Sequence, residues 1–190
     1  MYGIQGDPMT LDELMETVPA YARDLKLNFS TLTQQPELTP QQIWGTVVAS
    51  AVASRNAELT QAVLARAAGH LSAQALEAAK GAAAIMGMNN VYYRFQHLTS
   101  NQNYRNMPAR LRMNIIRSHG VDAADFELWC AAVSAINGCS ACVDSHEKVV
   151  REKGLSEEAV LAAIRLASVV HGLAAVFDAE RVGAVQAVSA

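Results

Sequence analysis

The residues best suited to chemistry are two cysteines and a histidine, Cys139, Cys142 and His146, in the order Cys-x-x-Cys-x-x-x-His. Asn137 and Gly138 stand directly before Cys139, and this dipeptide is a strong break in a helical pattern, so we predict that a helix begins at Cys139. On that helix the three residues share one face. Residues three apart have Cβ atoms about 5–6 Å apart, which a modest adjustment brings to disulfide distance. The spacing indicates a thiol–disulfide redox centre.

The start of a helix favours a reactive thiolate. Unpaired backbone N–H groups and the positive end of the helix dipole lie in the first turn, beside both sulfurs. His146 follows Cys142 by one turn and is placed to take or return its proton. Glu127, in the preceding predicted helix, is placed either to orient the imidazole and pass protons to it or to serve as a partner of its own helix dipole. The residues alone leave both interpretations of Glu127 open.

Other interpretations of the cysteines need different neighbours. Two buried packing cysteines would not need a histidine one turn further on. A structural zinc site needs four ligands, and this segment supplies three. Covalent haem attachment requires histidine directly after the second cysteine, where Val143 stands, so we exclude it. We expect packing or structural roles for the remaining cysteine, two histidines and two methionines that the pattern singles out: Cys130, His70, His171, Met86 and Met88.

Composition limits the class of protein. Of 190 residues, 51% are hydrophobic and 17% charged, which indicates one globular domain with a sizeable core. The net charge of −3 comes from scattered residues, so we expect no nucleic-acid partner. We see no apolar run near the roughly 18 residues that span a bilayer and no secretory signal, and expect a cytoplasmic protein without membrane attachment. Residues 1–9 are interpreted as a non-structural leader, and 10–190 as the single domain.

Nearly every segment has a helical pattern. Thr10 with Glu13 and Thr39 with Gln42 form capping-box patterns, and no segment shows convincing strand alternation. The stretch 98–108 is polar and irregular. We predict helices at about 11–17, 20–32, 40–55, 57–69, 72–88, 108–118, 123–136, 139–153 and 156–178.

The two halves of the chain resemble each other. Trp44 and the apolar segment after it match Trp129 and the segment CAAVSAI after it. LSAQALEAAK from residue 71 matches LSEEAVLAAI from residue 155. We therefore predict one compact all-α domain of two quasi-repeated halves, with a first repeat at about 38–97 and a catalytic repeat at about 122–180. By this register the two cysteines and His146 correspond to Ser54, Ala57 and Gln61, so the first repeat keeps the packing without the chemistry.

The motif also resembles a known family. Glu127, eleven intervening residues and then Cys139-x-x-Cys142-x-x-x-His146 is similar to the motif of the alkyl hydroperoxidase D (AhpD) proteins, within the carboxymuconolactone decarboxylase-like superfamily. Five further segments resemble AhpD segments in the same order, so the resemblance covers roughly residues 10–180. They are NFSTLT (28–33), IWGTVVASA (43–51), AAAIMGMNNVYYR (82–94), LRMNII (111–116) and FELW with the segment after it (126–142).

The resemblance implies an all-α subunit assembled as a homotrimer and an antioxidant thiol peroxidase that reduces organic hydroperoxides. Cys142 resembles the peroxide-attacking cysteine that becomes a sulfenic acid. Cys139 resembles the resolving cysteine and proton donor, paired with Cys142 in a disulfide, while His146 and Glu127 resemble the proton relay. The implied partners are the peroxiredoxin AhpC and a lipoylated 2-oxoacid dehydrogenase component, whose lipoyl dithiol is the reducing co-substrate. No tightly bound cofactor and no metal are implied.

One departure from the family pattern bears on activity. Ala141 stands between the cysteines, where some relatives carry histidine. The main alternative is therefore a dithiol–disulfide reductase adaptor with little direct peroxidase activity. Lactone decarboxylation, known in the same superfamily, makes no evident use of a Cys-x-x-Cys pair. A zinc-bound or redox-sensing oligomer is the non-enzymatic alternative.

Overall fold

Helices make up nearly the whole of the computed structural model, which describes residues 9–188, with side chains described for 9–182. Two short 3-10 helices, Ala20–Ala22 and Gln102–Asn106, complete the regular structure, and there is no strand within 9–188. The all-α prediction is confirmed. The α-helices are α1 (Leu11–Glu16), α2 (Arg23–Leu32), α3 (Pro40–Ser54), α4 (Ala57–Ala67), α5 (Ala73–Leu98), α6 (Ile115–Ser118), α7 (Ala123–Ile136), α8 (Ser140–Glu152) and α9 (Glu157–Val188).

Side-chain caps define most helix starts. Thr10 caps α1 and Thr39 caps α3, each in a complete capping box with the Glu or Gln three residues later. Such caps satisfy backbone donors that the first turn leaves unpaired, typically worth about 1 kcal/mol each. Ser72 accepts a hydrogen bond from the Ala75 N–H at the start of α5. These starts lie where the sequence predicts them.

Four predicted helices were wrong in extent. The last one, predicted to end near residue 178, is α9 and continues to Val188. α5 continues to Leu98 rather than ending near residue 88, although Asn89 and Asn90 interrupt its apolar pattern. The predicted 108–118 helix is reduced to α6, and Arg110 before it has a left-handed backbone with φ of 52°. The predicted 20–32 helix is a 3-10 turn followed by α2.

The centre of the molecule is the packing of α3 against α7. Gly45 allows the close approach, because a Cβ at this position would lie 2.1 Å from atoms of the Trp129 ring. The buried carboxylate of Asp125 accepts hydrogen bonds from the amides of Gln41 and Gln42, at 2.7 and 2.8 Å, and ties the start of α7 to α3. Together these contacts position the helix that carries Glu127.

The quasi-repeat is visible in the order and length of the helices. α3, α4 and α5 correspond to α7, α8 and α9, but the caps change the predicted register. Because Asn56 caps α4 and Cys139 caps α8, the counterparts of the two cysteines and His146 are Asn56, Leu59 and Val63. Leu59 and Val63 are fully buried. In this alignment of the N-caps the first repeat has no redox residues, and the counterparts differ from the Ser54, Ala57 and Gln61 that the sequence match gives.

The expectation that no segment is apolar enough to span a bilayer was wrong for one helix. Over Glu157–Val182, α9 is long and apolar enough to cross a membrane by length and composition, and 56% of its most apolar stretch is buried within the molecule. Leu166, Val170 and Leu173 are fully buried in the core. A central core helix, apolar on several sides, meets the same criteria as a membrane span.

Candidate active site

The redox helix begins at a tight turn. After α7 ends, Gly138 has a φ of 66°, and its N–H donates to the Ala135 carbonyl at 3.2 Å. The Cys139 N–H donates to the Ser134 carbonyl at 3.1 Å, which completes a Schellman motif. The predicted break is confirmed, with a shift of one residue, because Cys139 is the N-cap and α8 begins at Ser140.

Cys139 and Cys142 are joined by a disulfide, with their Cα atoms 5.3 Å apart. They occupy the N-cap and N3 positions of α8, the two positions whose side chains bond reciprocally in a capping box. In α8 the disulfide links these two positions instead of a pair of capping hydrogen bonds, and the Cys139 side chain makes no capping hydrogen bond. Cys139 is fully buried, whereas Cys142 is 6% exposed and lines a cavity. A small molecule in that cavity therefore meets Cys142.

His146 and Glu127 form a close pair between α8 and α7. The Nδ1 atom of His146 lies 2.5 Å from Oε2 of Glu127, and both side chains are nearly buried. A hydrogen bond to a carboxylate fixes both the orientation and the tautomer of an imidazole. The structure thus brings Glu127, nineteen residues away in sequence, to the redox helix.

Met86 is a site residue that the sequence did not reveal. Its side chain is 1% exposed, as expected of a core methionine, but its Sδ atom lies 3.1 Å from Nε2 of His146. Both ring nitrogens of His146 are thus occupied, by Glu127 and by Met86. Among the described residues, His146 makes no hydrogen bond to either cysteine sulfur, so proton transfer between His146 and Cys142 stays a prediction.

A buried polar network connects α5 to the turn before Cys139. The Asn90 side chain donates to Oγ of Ser134 at 3.0 Å and accepts from Nδ2 of Asn137 at 2.9 Å. Arg94 also donates to the Asn137 carbonyl, at 2.5 Å. These bonds satisfy Asn90 in the middle of a helix and hold the turn against α5, which also explains why α5 continues past its two asparagines.

The cavity beside the disulfide has a volume of about 380 Å³. Its wall is mainly apolar and includes the reactive groups of Cys142, His146 and Glu127. Asn89 also lines it, and the buried Oδ1 atom of Asn89 has no hydrogen-bond partner. Leaving such a group unpaired typically costs about 1–3 kcal/mol. The lining residues are Met86, Asn89, Tyr93, Met113, Ile116, Glu127, Ala141, Cys142, Ser145, His146 and Val149.

Comparison with known proteins identifies the family. Residues 102–184 match the carboxymuconolactone decarboxylase family. The chain is 66% identical to the alkyl hydroperoxide reductase AhpD of Acidobacterium capsulatum, over 92% of this chain and 96% of the relative. It is 63% identical to that of Solibacter usitatus, over 90% and 97%. The chain belongs to the AhpD family. The AhpD protein of Brucella canis is 53% identical over 90% of this chain and 98% of its own.

Cys130, His70 and His171 of this AhpD-family chain lie outside the redox motif, and each makes contacts typical of a structural residue. Burial raises the pKa of the Cys130 thiol well above its usual value, and the nearby Glu127 carboxylate adds to the shift. A thiol held protonated in this way is a poor nucleophile. His70 stacks on Trp44 with ring centres 4.4 Å apart, and Nδ1 of His171 lies 3.1 Å from Oγ of Ser54.

A zinc site was one of the alternative interpretations of the redox motif. Within the described range, no group of three or more His, Cys, Asp or Glu side chains is arranged to hold a metal ion. The disulfide also occupies both sulfurs of this AhpD motif, and a metal would need them as free thiolates.

Proposed function

We propose that this chain is an antioxidant thiol peroxidase that reduces alkyl hydroperoxides through Cys142 and Cys139. The observation that carries the proposal is the opening of Cys142, bonded to buried Cys139, onto an apolar cavity that also contains the His146–Glu127 pair. An alkyl hydroperoxide has an apolar body and one reactive polar end, which matches this distribution of groups. The relatives' name, alkyl hydroperoxide reductase, supports the same substrate class.

The reaction begins with the reduced dithiol. The Cys142 thiolate, favoured in the first turn of α8, attacks the terminal oxygen of the hydroperoxide. An S–O bond forms, the O–O bond breaks, and Cys142 becomes a sulfenic acid as the peroxide is reduced. The leaving alkoxide takes a proton from the relay, in which Glu127 orients His146, and departs as the alcohol. The Cys139 thiol then attacks the Cys142 sulfur, releasing water and forming the disulfide.

The cycle closes by thiol–disulfide exchange. A dithiol of the dihydrolipoyl class attacks the sulfur of Cys142, the half of the disulfide that lines the cavity, and leaves as a cyclic disulfide after a second exchange. Both protein thiols are regenerated, so one hydroperoxide and one dithiol give one alcohol, one water and one disulfide. We assign the electron supply to a lipoylated dehydrogenase component, with no tightly bound cofactor and no metal. Reduction of the peroxiredoxin AhpC by the same Cys139–Cys142 pair belongs to this proposal.

A dithiol–disulfide reductase adaptor is the second candidate. Two observations favour it: Ala141 supplies no proton donor beside Cys142, and both ring nitrogens of His146 contact groups other than the cysteines. In this case peroxide would be reduced by a separate peroxiredoxin.

We also propose a cytoplasmic homotrimer. Apolar side chains are exposed along the second half of α5 and in the segment after it, where a second copy would cover them. A cytoplasmic location agrees with the small number of cysteines and with redox chemistry that needs a supply of reduced dithiol. The exposed apolar residues of this surface are Val91, Phe95, Leu98, Tyr104, Met107 and Leu111.

Stopped-flow kinetics test the proposal. Pre-reduced protein is mixed with tert-butyl or cumene hydroperoxide, and thiol loss and sulfenate formation are followed. Fast stoichiometric oxidation at Cys142 is expected, no turnover in Cys142→Ser, and a dimedone-trapped sulfenic acid in Cys139→Ser. Slow oxidation together with rapid exchange with dihydrolipoamide would instead establish the adaptor. Persistent peroxidase turnover in Cys142→Ser would refute the assignment of Cys142 as the cysteine that attacks the peroxide.

A further inference from the structure

Asn89 is a polar side chain that the fold buries without giving its oxygen a partner. It lies in the middle of α5, is 4% exposed, and its Oδ1 atom makes no hydrogen bond among the described residues. Asparagine is also a poor helix former, so nothing local favours it at this position. Buried polar side chains are usually hydrogen-bonded, so the unpaired Oδ1 atom beside a cavity needs an explanation, and a ligand in the cavity is one.

The neighbouring asparagine shows what a structural role looks like here. Asn90 is 1% exposed and bonds to Ser134 and Asn137, which connects α5 to the turn before Cys139. Asn89 makes neither bond and instead lines the cavity beside Cys142 and His146. Consecutive residues of the same type thus have different surroundings, and only Asn89 is left with an unpaired oxygen.

We propose that Asn89 binds the –OOH group of the organic hydroperoxide and directs its O–O bond toward Cys142. This inference rests on the proposed peroxidase function. The amide offers an acceptor for the terminal O–H and a donor for the inner oxygen, which becomes the alkoxide. The Oδ1 atom is itself buried, and a half-turn of the amide about its terminal bond exchanges it with Nδ2 and turns it toward the cavity. The apolar side chains of Met113, Ile116 and Val149 on the same cavity then hold the organic part.

The assignment explains a division of tasks within the cavity. Glu127 and His146 handle the proton, since they bond to each other at 2.5 Å. His146 contacts Glu127 with one ring nitrogen and Met86 with the other, so its ring nitrogens already have partners. A site that hydrogen-bonds its substrate in a dry pocket discriminates strongly against ligands that cannot make the bond. Asn89 therefore distinguishes a hydroperoxide from other reagents that reach Cys142.

The test compares two reactions of the same thiol in Asn89→Leu, which keeps the side-chain volume and removes the amide. The second-order rate constant for oxidation of Cys142 by cumene hydroperoxide is expected to fall about 10- to 100-fold. Alkylation of Cys142 by iodoacetamide, and reopening of the disulfide by dihydrolipoamide, are expected to stay within about threefold of wild type. The melting temperature is expected to be unchanged or higher, because an unpaired buried group has been removed.

Asn90→Leu is the matched control. It breaks the hydrogen bonds of Asn90 to Ser134 and Asn137 and its longer bond to the Met86 sulfur. Its melting temperature should therefore fall, and any loss of rate should affect all three reactions together. If Asn89→Leu does not fold, Asn89→Ala removes the same amide without adding bulk and is tested in its place.

Three results would overturn the assignment. They are an unchanged peroxide rate in a folded Asn89 variant, an equal loss in alkylation, and a loss confined to the dihydrolipoamide reaction. A wild type that does not react with peroxide refutes the proposed function and this assignment together. A reactive wild type beside an equally reactive variant refutes only the role of Asn89.

Discussion

Replacing two helical glycines by alanine should change stability in opposite directions. A Cβ on Gly45 would lie 2.1 Å from Cε2 and Cζ2 of Trp129 and 2.5 Å from its Nε1. Non-bonded carbon atoms prefer about 3.5–4.0 Å, so the overlap exceeds 1 Å. The indole is fully buried, so it can move only if its neighbours also move. At Gly87 in α5 the same Cβ meets nothing within 4 Å.

The magnitudes follow from two competing terms. Alanine gains about 1 kcal/mol of helix propensity over glycine at either position. Overpacking costs about 1–3 kcal/mol, and a rigid buried ring places Gly45→Ala at the upper end. We expect Gly45→Ala to lose about 2 kcal/mol and Gly87→Ala to gain about 1 kcal/mol. For a domain of this size, each 1 kcal/mol shifts the melting temperature by about 2–4 °C.

Thermal unfolding by circular dichroism, at one protein concentration because oligomers melt in a concentration-dependent way, measures both variants. The expected shifts are a fall of about 4–8 °C for Gly45→Ala and a rise of about 2–4 °C for Gly87→Ala. A Gly45→Ala protein as stable as wild type would refute the close contact between α3 and α7. It would also remove the argument that this contact positions the helix carrying Glu127.

Three further predictions concern the site and its surroundings. Glu127→Gln keeps the shape of the side chain but removes the carboxylate opposite His146. Peroxide turnover should therefore fall about 10- to 100-fold, and the pH–rate profile should change shape. A pH–rate profile like that of wild type would show that Glu127 is not part of the proton relay. The raised pKa of Cys130 means that its contribution to the unfolding free energy is present below about pH 8.5 and lost above it. Denaturant titrations of the oxidised protein should therefore show a steeper loss of stability from pH 8 to 10 in wild type than in Cys130→Ala, and equal slopes would contradict this. Dialysis against a chelator should leave the melting temperature and the thiol count unchanged, and stoichiometric zinc in untreated protein would contradict the proposed redox role.

Local signals made much of the fold and the redox pair predictable. The caps at Thr10, Thr39 and Ser72 and the break at Gly138 act within a few residues of the helix ends they define, so the sequence contains all that is needed. The cysteine pair is similarly local. The extent of α5 was missed because Asn90 is satisfied by partners more than forty residues away, which no local pattern contains.

The rest of the site depends on contacts between distant segments. Met86 and His146 are sixty residues apart in the chain, and a methionine in an Ala-rich helix is indistinguishable from core until its neighbours are known. Asn89 offered a weak signal, since two consecutive asparagines are unusual in the interior of an apolar helix. With Met86 and Tyr93 they follow the i, i+3, i+4, i+7 spacing of one helix face. This spacing could have indicated that the face lines a cavity with polar groups.

The cavity is bounded by both halves of the duplicated fold. α5, from the half without redox residues, supplies Met86, Asn89 and Tyr93, while α7 and α8 supply the reactive groups. The side chains that line this wall and the residues that carry the thiols therefore belong to different helices. Substitutions on α5 can reshape the cavity while the sequence of the redox helix stays the same.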